Sequence, residues 1–182
     1  NPAVEDFQKR IQRRAIVMEI GGFRPSVDPM TSFFGRVGFS LPGEGWPHFE
    51  GNPMHALAQV DLRQLPFRPS RLENVEFLTV FIGPSELPTE APNGEGWVVR
   101  TYQDASALVP LAELDTGSNI KAFPMRPRLE DADFSCWEDV SIDCPEEVED
   151  AFYDLFENVN GFKLGGWPTL IQGQIFWAPW NK

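Results

Sequence analysis

Few residues in this chain are of the types that carry out chemistry. The two histidines, His48 and His55, lie seven positions apart across turn residues, with no Cys or Asp at metal-ligand spacing around them. His48 follows a proline in a loop and reads as solvated, while His55 opens a strand and reads as hydrogen-bonded to its neighbours. Cys136 and Cys144 sit among carboxylates, which raise a thiol pKa and oppose nucleophilic use, so both read as structural. Asp131-Ala132-Asp133 has the spacing of the first ligands of a calcium loop but lacks the glycine and the closing glutamate in register. Gly21-Gly22 and Gly165-Gly166 show neither a P-loop nor a dinucleotide fingerprint. A nucleophile, a base and a charge-stabilising group are not found together. The expectation is a non-catalytic protein with no cofactor and no metal.

The polar pair that stands out is Gln59 and Asp61. Both project from one side of the strand Ala56–Leu62, whose other side carries Ala58, Val60 and Leu62, so one face reads as core and the other as polar. Two readings of the pair remain open. In one, the amide and carboxylate satisfy loop backbone. In the other, Gln59 and Asp61 floor a small ligand groove closed by Trp46 and Trp167, with Gln172 beside it, and the chain is a small-ligand binder or an enzyme. The glycine- and proline-rich loop from Phe33 through Trp46 suits either, since stiff aromatic loops line grooves and plug core edges alike.

Charge points to a second surface. Twelve of the 27 carboxylates fall between Glu130 and Glu157 with no Lys or Arg among them, leaving fifteen acids to match the 15 bases elsewhere. The net charge of −12 therefore belongs to one segment, and nucleic acid is excluded as a partner for it. Glu146, Glu147, Glu149, Asp150 and Asp154 are its docking candidates, and a basic protein is the partner they imply. The function expected is a protein-binding module, immunity-like or regulatory.

These residues need elements to hold them. At 182 residues the chain suits a single domain, and 42% apolar composition excludes disorder as a description of the whole. No apolar run is long enough to span a bilayer, and the charged start lacks a signal peptide's apolar middle, so a cytoplasmic setting away from membranes is expected. Val4, Phe7, Ile11 and Ala15 predict a helix over Pro2–Arg14, followed by a strand over Ala15–Ile20. Further strands are predicted at Ala56–Leu62, Glu76–Ile82 and Trp97–Tyr102, with weaker ones from Val109 and over Ile120–Met125. Pro124 assigns the last to a sheet edge. Leu87-Pro88 begins a turn-rich connection. Pro145–Val159 predicts an amphipathic helix with Val148, Ala151, Phe152, Leu155, Phe156 and Val159 inward and its acids outward. The fold expected is α+β, a mixed, mainly antiparallel sheet with an N-terminal helix and an acidic helix.

Several short segments carry a resemblance. Gly45-Trp46-Pro47, Ala58-Gln59-Val60-Asp61-Leu62 with Leu65-Pro66, Asp104-Ala105-Ser106 within Tyr102–Leu111, and Leu164-Gly165-Gly166-Trp167-Pro168 followed by Ile171-Gln172 occur in the order of the YwqG-like family, a bacterial domain of unknown function. The chain resembles that family from about residue 32 onward. It departs where the family shows Phe-Gly-Gly-x-Pro and this chain has Phe34-Gly35-Arg36-Val37-Gly38. The resemblance implies a mixed α+β fold continuing into further C-terminal strands, which the closing aromatics Ile175–Trp180 would join, and it implies no particular reaction.

Overall fold

The computed structural model describes residues 2–84, 91–140 and 142–169. Leu87-Pro88, Gln172 and Ile175–Trp180 lie outside the described residues. In chain order the elements are α1 (Pro2–Ile11), β1 (Gln12–Ile20), β2 (Phe33–Phe34), β3 (Phe39–Ser40), β4 (His48–Phe49), β5 (Asn52–Pro53), β6 (His55–Asp61), β7 (Phe77–Ile82), β8 (Trp97–Tyr102), β9 (Val109–Pro110), β10 (Phe123–Phe134), α2 (Glu146–Glu149), α3 (Phe152–Leu155) and β11 (Lys163–Gly165). The class is α+β, and the strand pairs specified below are antiparallel. The described residues gather into two compact units, one drawn from residues 2–19 and 127–169 and the other from residues 20–126.

In the first unit, α1 buries Phe7 and Ile11, as its spacing predicts. The helix stops three residues sooner than expected, and Gln12–Arg14 open β1 instead. The Gln12 side chain donates to the Asp131 carbonyl at 2.8 Å, and the Arg14 carbonyl accepts from Gly166 N at 3.0 Å. β1 pairs with β11, Ala15 opposite Gly165 and Val17 opposite Lys163. Four consecutive β1 residues, Ala15 to Met18, are buried, the pattern of a strand covered on both faces.

The long acidic helix is not formed. α2 and α3 are single turns separated at Ala151, whose φ of −106° and ψ of 9° leave the helical region. Two like-charge pairs at four-residue spacing, Glu146/Asp150 and Asp150/Asp154, oppose a continuous helix by a few tenths of a kcal/mol each, and no base in the segment offsets them. After Phe156 the backbone is extended, and Phe134 N bonds the Glu157 carbonyl at 3.2 Å. Packing fixes the turns instead. Val148, Phe152 and Phe156 are buried with Phe7, Ile11 and Phe134, whereas Leu155, expected inward, is 52% exposed.

At the centre of this unit lies Asp133, fully buried. Its Oδ1 accepts from Val159 N at 2.9 Å and its Oδ2 from Trp167 N at 2.7 Å, while Lys163 Nζ reaches both oxygens at 3.1 and 2.9 Å. Gly166 has to be glycine. Its φ is +69°, and a Cβ there would collide with Asp133 Oδ2 and come within 2.8 Å of Ala15 Cβ.

In the second unit the order is β10-β2-β6-β7-β8. The strands predicted at Ala56–Leu62, Glu76–Ile82 and Trp97–Tyr102 appear as β6, β7 and β8, each within one residue of its expected bounds. Within this unit β10 ends the order, next to β2. Pro124 keeps its carbonyl for Gly21 N at 2.8 Å, while Met125 N donates to the Ser32 carbonyl at 2.8 Å, so the ring removes one donor without ending the pairing. β2 lies between β10 and β6, where the sequence suggested only loop. Both faces of β6 are covered: Ala58, Val60 and Gln59 are fully buried and Asp61 is 9% exposed. Cross-strand register puts Gln59 beside Thr79, and Asp61 beside Phe77, so the expected polar face is also a core face.

Replacing Lys163 with Met strands the Asp133 charge and is expected to cost about 3–5 kcal/mol in urea unfolding. Asp131→Asn, which loses an ion pair to Arg14 with side chains 52% and 69% exposed, is expected to cost less than about 1 kcal/mol.

Candidate functional site

Gln59 occupies the middle of β6, and its amide holds the incoming loop. Oε1 accepts from Gly38 N at 2.9 Å, and Nε2 donates to the carbonyls of Thr31 at 2.8 Å and Pro29 at 3.2 Å. Both amide hydrogens are thereby used on backbone. Asp61 is likewise engaged. Its carboxylate takes a two-pronged bond from Arg63, Nε to Oδ1 at 2.9 Å and Nη2 to Oδ2 at 2.8 Å, and its backbone N donates to Ser32 Oγ at 3.0 Å. The side-chain bond to Asp61, before any other influence, raises the Arg63 pKa.

Trp46 is fixed by its Nε1 donating to the Met54 carbonyl at 2.8 Å and by Phe81, which meets its ring nearly edge-on with centroids 5.2 Å apart. Trp46, Gln59 and Asp61 belong to one unit. Trp167 belongs to the other, where Nε1 donates to the Ile11 carbonyl at 2.7 Å and the Arg13 guanidinium lies 3.5 Å above its ring.

Beside Trp46 the second unit has a cleft of about 340 Å³. Gly35 and Ala56 form its wall with Trp46, and the opposite side comes from residues 113–120, a strap without helix or strand. Gly35, at φ +74°, permits the strap's approach, because a Cβ would collide with the Lys121 carbonyl. Thr116 Oγ1 lies 2.8 Å from His55 Nδ1 and ties the strap to β6. His55 is thus hydrogen-bonded, as the sequence suggested. His48 is exposed, its Nδ1 2.9 Å from the Trp46 carbonyl oxygen. The turn-like run Ala112–Asn119 gave no motif to the sequence reading; its acids and hydroxyls alternating with small residues were the only signal.

Below Trp46, Glu44 joins three partners. Tyr102 OH donates to its Oε2 at 2.8 Å, Leu41 N to the same oxygen at 3.1 Å, and Arg100 Nε lies 3.3 Å from Oε1. Burial pushes the Tyr102 pKa up to about 12, helped by the bond to Glu44.

The acidic candidates fall in the first unit. Glu146, Glu147, Glu149, Asp150 and Asp154 are all exposed, as is Tyr153 at 70%. Next to them lies a cleft of about 320 Å³ lined by Trp137, Val140, Ile142 and Cys144, with Asp143 and Glu149 among its walls. Burial first, then the Glu149 charge, raises the Cys144 pKa, which keeps the thiol protonated at neutral pH. Among the described residues no group of His, Cys, Asp and Glu is arranged to hold a metal, and no helix is long and apolar enough to cross a membrane. No protein-family model matches the chain, and no curated protein is similar to it.

Gln59→Ala is expected to lower unfolding stability by about 1–3 kcal/mol, because three partly buried backbone groups lose their partner. Tyr102, whose folded pKa is raised, favours folding fully below pH 10 and loses that contribution between pH 10 and about 12. A spectrophotometric titration is expected to show one of the chain's two tyrosines ionising near 12, and Tyr102→Phe is expected to remove that step together with the loss of stability across the window.

Proposed function

We propose that this chain is a non-catalytic protein-binding module, immunity-like or regulatory, that meets a basic protein through the acidic surface of residues 143–157. One observation carries the reading: exposed carboxylates adjoin a cleft that also offers apolar side chains. Glu146, Glu149, Asp150 and Asp154 are exposed in the same short segment as exposed Tyr153 and Leu155, and Glu149 lines the 320 Å³ cleft together with Trp137, Val140 and Ile142. Carboxylates of one sign, with no base among them, speed encounter with a cationic surface but add little affinity at the rim. Affinity comes from an apolar anchor buried at the centre, which the cleft and the tyrosine provide. The partner surface that fits has Lys and Arg around one apolar side chain. The reading goes with a cytoplasmic setting and with the resemblance to the YwqG-like family.

A fluorescein-labelled peptide with a single leucine among lysines and arginines tests it. Anisotropy with the full chain is expected to show saturable binding at low salt, weakened at high salt. The triple variant Glu146→Gln, Glu149→Gln, Asp150→Asn is expected to weaken it about tenfold, ~1.4 kcal/mol. Affinity indifferent to both salt and variant, or no binding, would overturn the proposal.

A further inference from the structure

The cleft beside Trp46 belongs to the second unit, shares no residue with the proposed docking surface, and has a chemistry of its own. Its volume of about 340 Å³ suits a small molecule. One side is apolar and stiff. Trp46 is held by its bond to the Met54 carbonyl and by Phe81, and Ala56 continues the wall from β6. The other side is the strap, and its charged lining residues are Glu113 and Asp115, with no Lys or Arg among the lining. Both acids are exposed, so water competes with a ligand for them.

The strap is braced in a way that keeps these groups at the cleft. Asp115 Oδ1 accepts from Gly117 N at 3.0 Å, Thr116 is tied to His55 at 2.8 Å, and Leu111 N bonds the Gly38 carbonyl at 2.8 Å. Gly35 supplies the close approach at Lys121 that fixes the far end. A space with an aromatic wall and two carboxylates is selective by charge. An anion meets repulsion from both acids, a neutral ligand gains the wall alone, and an organic cation gains the wall and the carboxylates together. An ammonium on a flat apolar body fits both.

We propose that this cleft binds a small organic cation, an ammonium carried on a flat apolar body, with the body against Trp46 and the charge between Glu113 and Asp115. The binding energy resides in a desolvated aromatic contact and a charge that is matched on one side only, so the complex is salt-sensitive and reversible.

Phenethylammonium is the probe, with 2-phenylethanol as its neutral isostere and 3-phenylpropionate as its anionic one, each titrated into the full chain by two-dimensional NMR. Phenethylammonium is expected to shift the Trp46 indole N–H and the backbone amides of Glu113–Ser118 saturably. Glu113→Gln with Asp115→Asn, which keeps an acceptor for Gly117 N, is expected to weaken binding about tenfold and leave the unperturbed spectrum folded. Equal binding of the alcohol, or insensitivity to the double variant, would overturn the cationic class while leaving the cleft as a site. The absence of shifts at these residues with all three probes would overturn the site itself.

Discussion

A carboxylate with no exposure to solvent has to be matched on every side, and Asp133 is matched by four donor contacts drawn from three later parts of the chain. An unmatched charge in such a place would cost several kcal/mol. That requirement fixes where Val159, Lys163 and Trp167 must lie, and with them the course of the chain that follows the acidic turns. It also explains the composition of Lys163-Leu164-Gly165-Gly166-Trp167. Lysine neutralises the charge, the left-handed glycine lets the backbone close over Oδ2, and Trp167 N completes the shell. Its indole then spans to the Ile11 carbonyl, joining the end of α1 to the same assembly.

The second unit solves a related problem without charge. A buried glutamine in a strand interior can bond to backbone in three directions, and Gln59 uses them to hold the segment Pro29–Gly38, which has only two-residue strands of its own. The loop carrying Trp46 and the strap can then be irregular, because Glu44 accepts from Tyr102 of β8 and Thr116 bonds His55 of β6. In both units one polar side chain on a strand replaces the regular pairing that the glycines and prolines deny. The exposed features, acidic turns in one unit and a carboxylate-lined cleft in the other, rest on these interior anchors.

How much of this was legible depends on the range of the interaction. Trp97–Tyr102 and Glu76–Ile82 were legible because β-branched and aromatic runs between turn residues state their conformation locally. The stripe Val148, Phe152 and Phe156 was legible as buried, but its continuous helix was not formed, since charge repulsion at Asp150 and the demand of Asp133 for Val159 N compete with it. Asp133 itself was visible only as half of an Asp-x-Asp spacing; the lysine that gives it meaning lies 30 residues on, and no periodicity links them. Gln59 was singled out correctly as unusual, and the sequence left open the backbone role that its contacts display. At Pro124 what matters is the carbonyl, which accepts from Gly21 N and which a rule about missing donors does not weigh.

Amide hydrogen exchange of Val159 and Trp167, followed by NMR across low denaturant concentrations, tests the role of the buried carboxylate most directly. If Asp133 fixes this part of the chain, both amides exchange only through cooperative unfolding, with a denaturant dependence matching that of the α1 and β1 core. Fast exchange of either amide, independent of denaturant, would mean that the segment opens locally, and the carboxylate would then not be what holds the acidic surface in place.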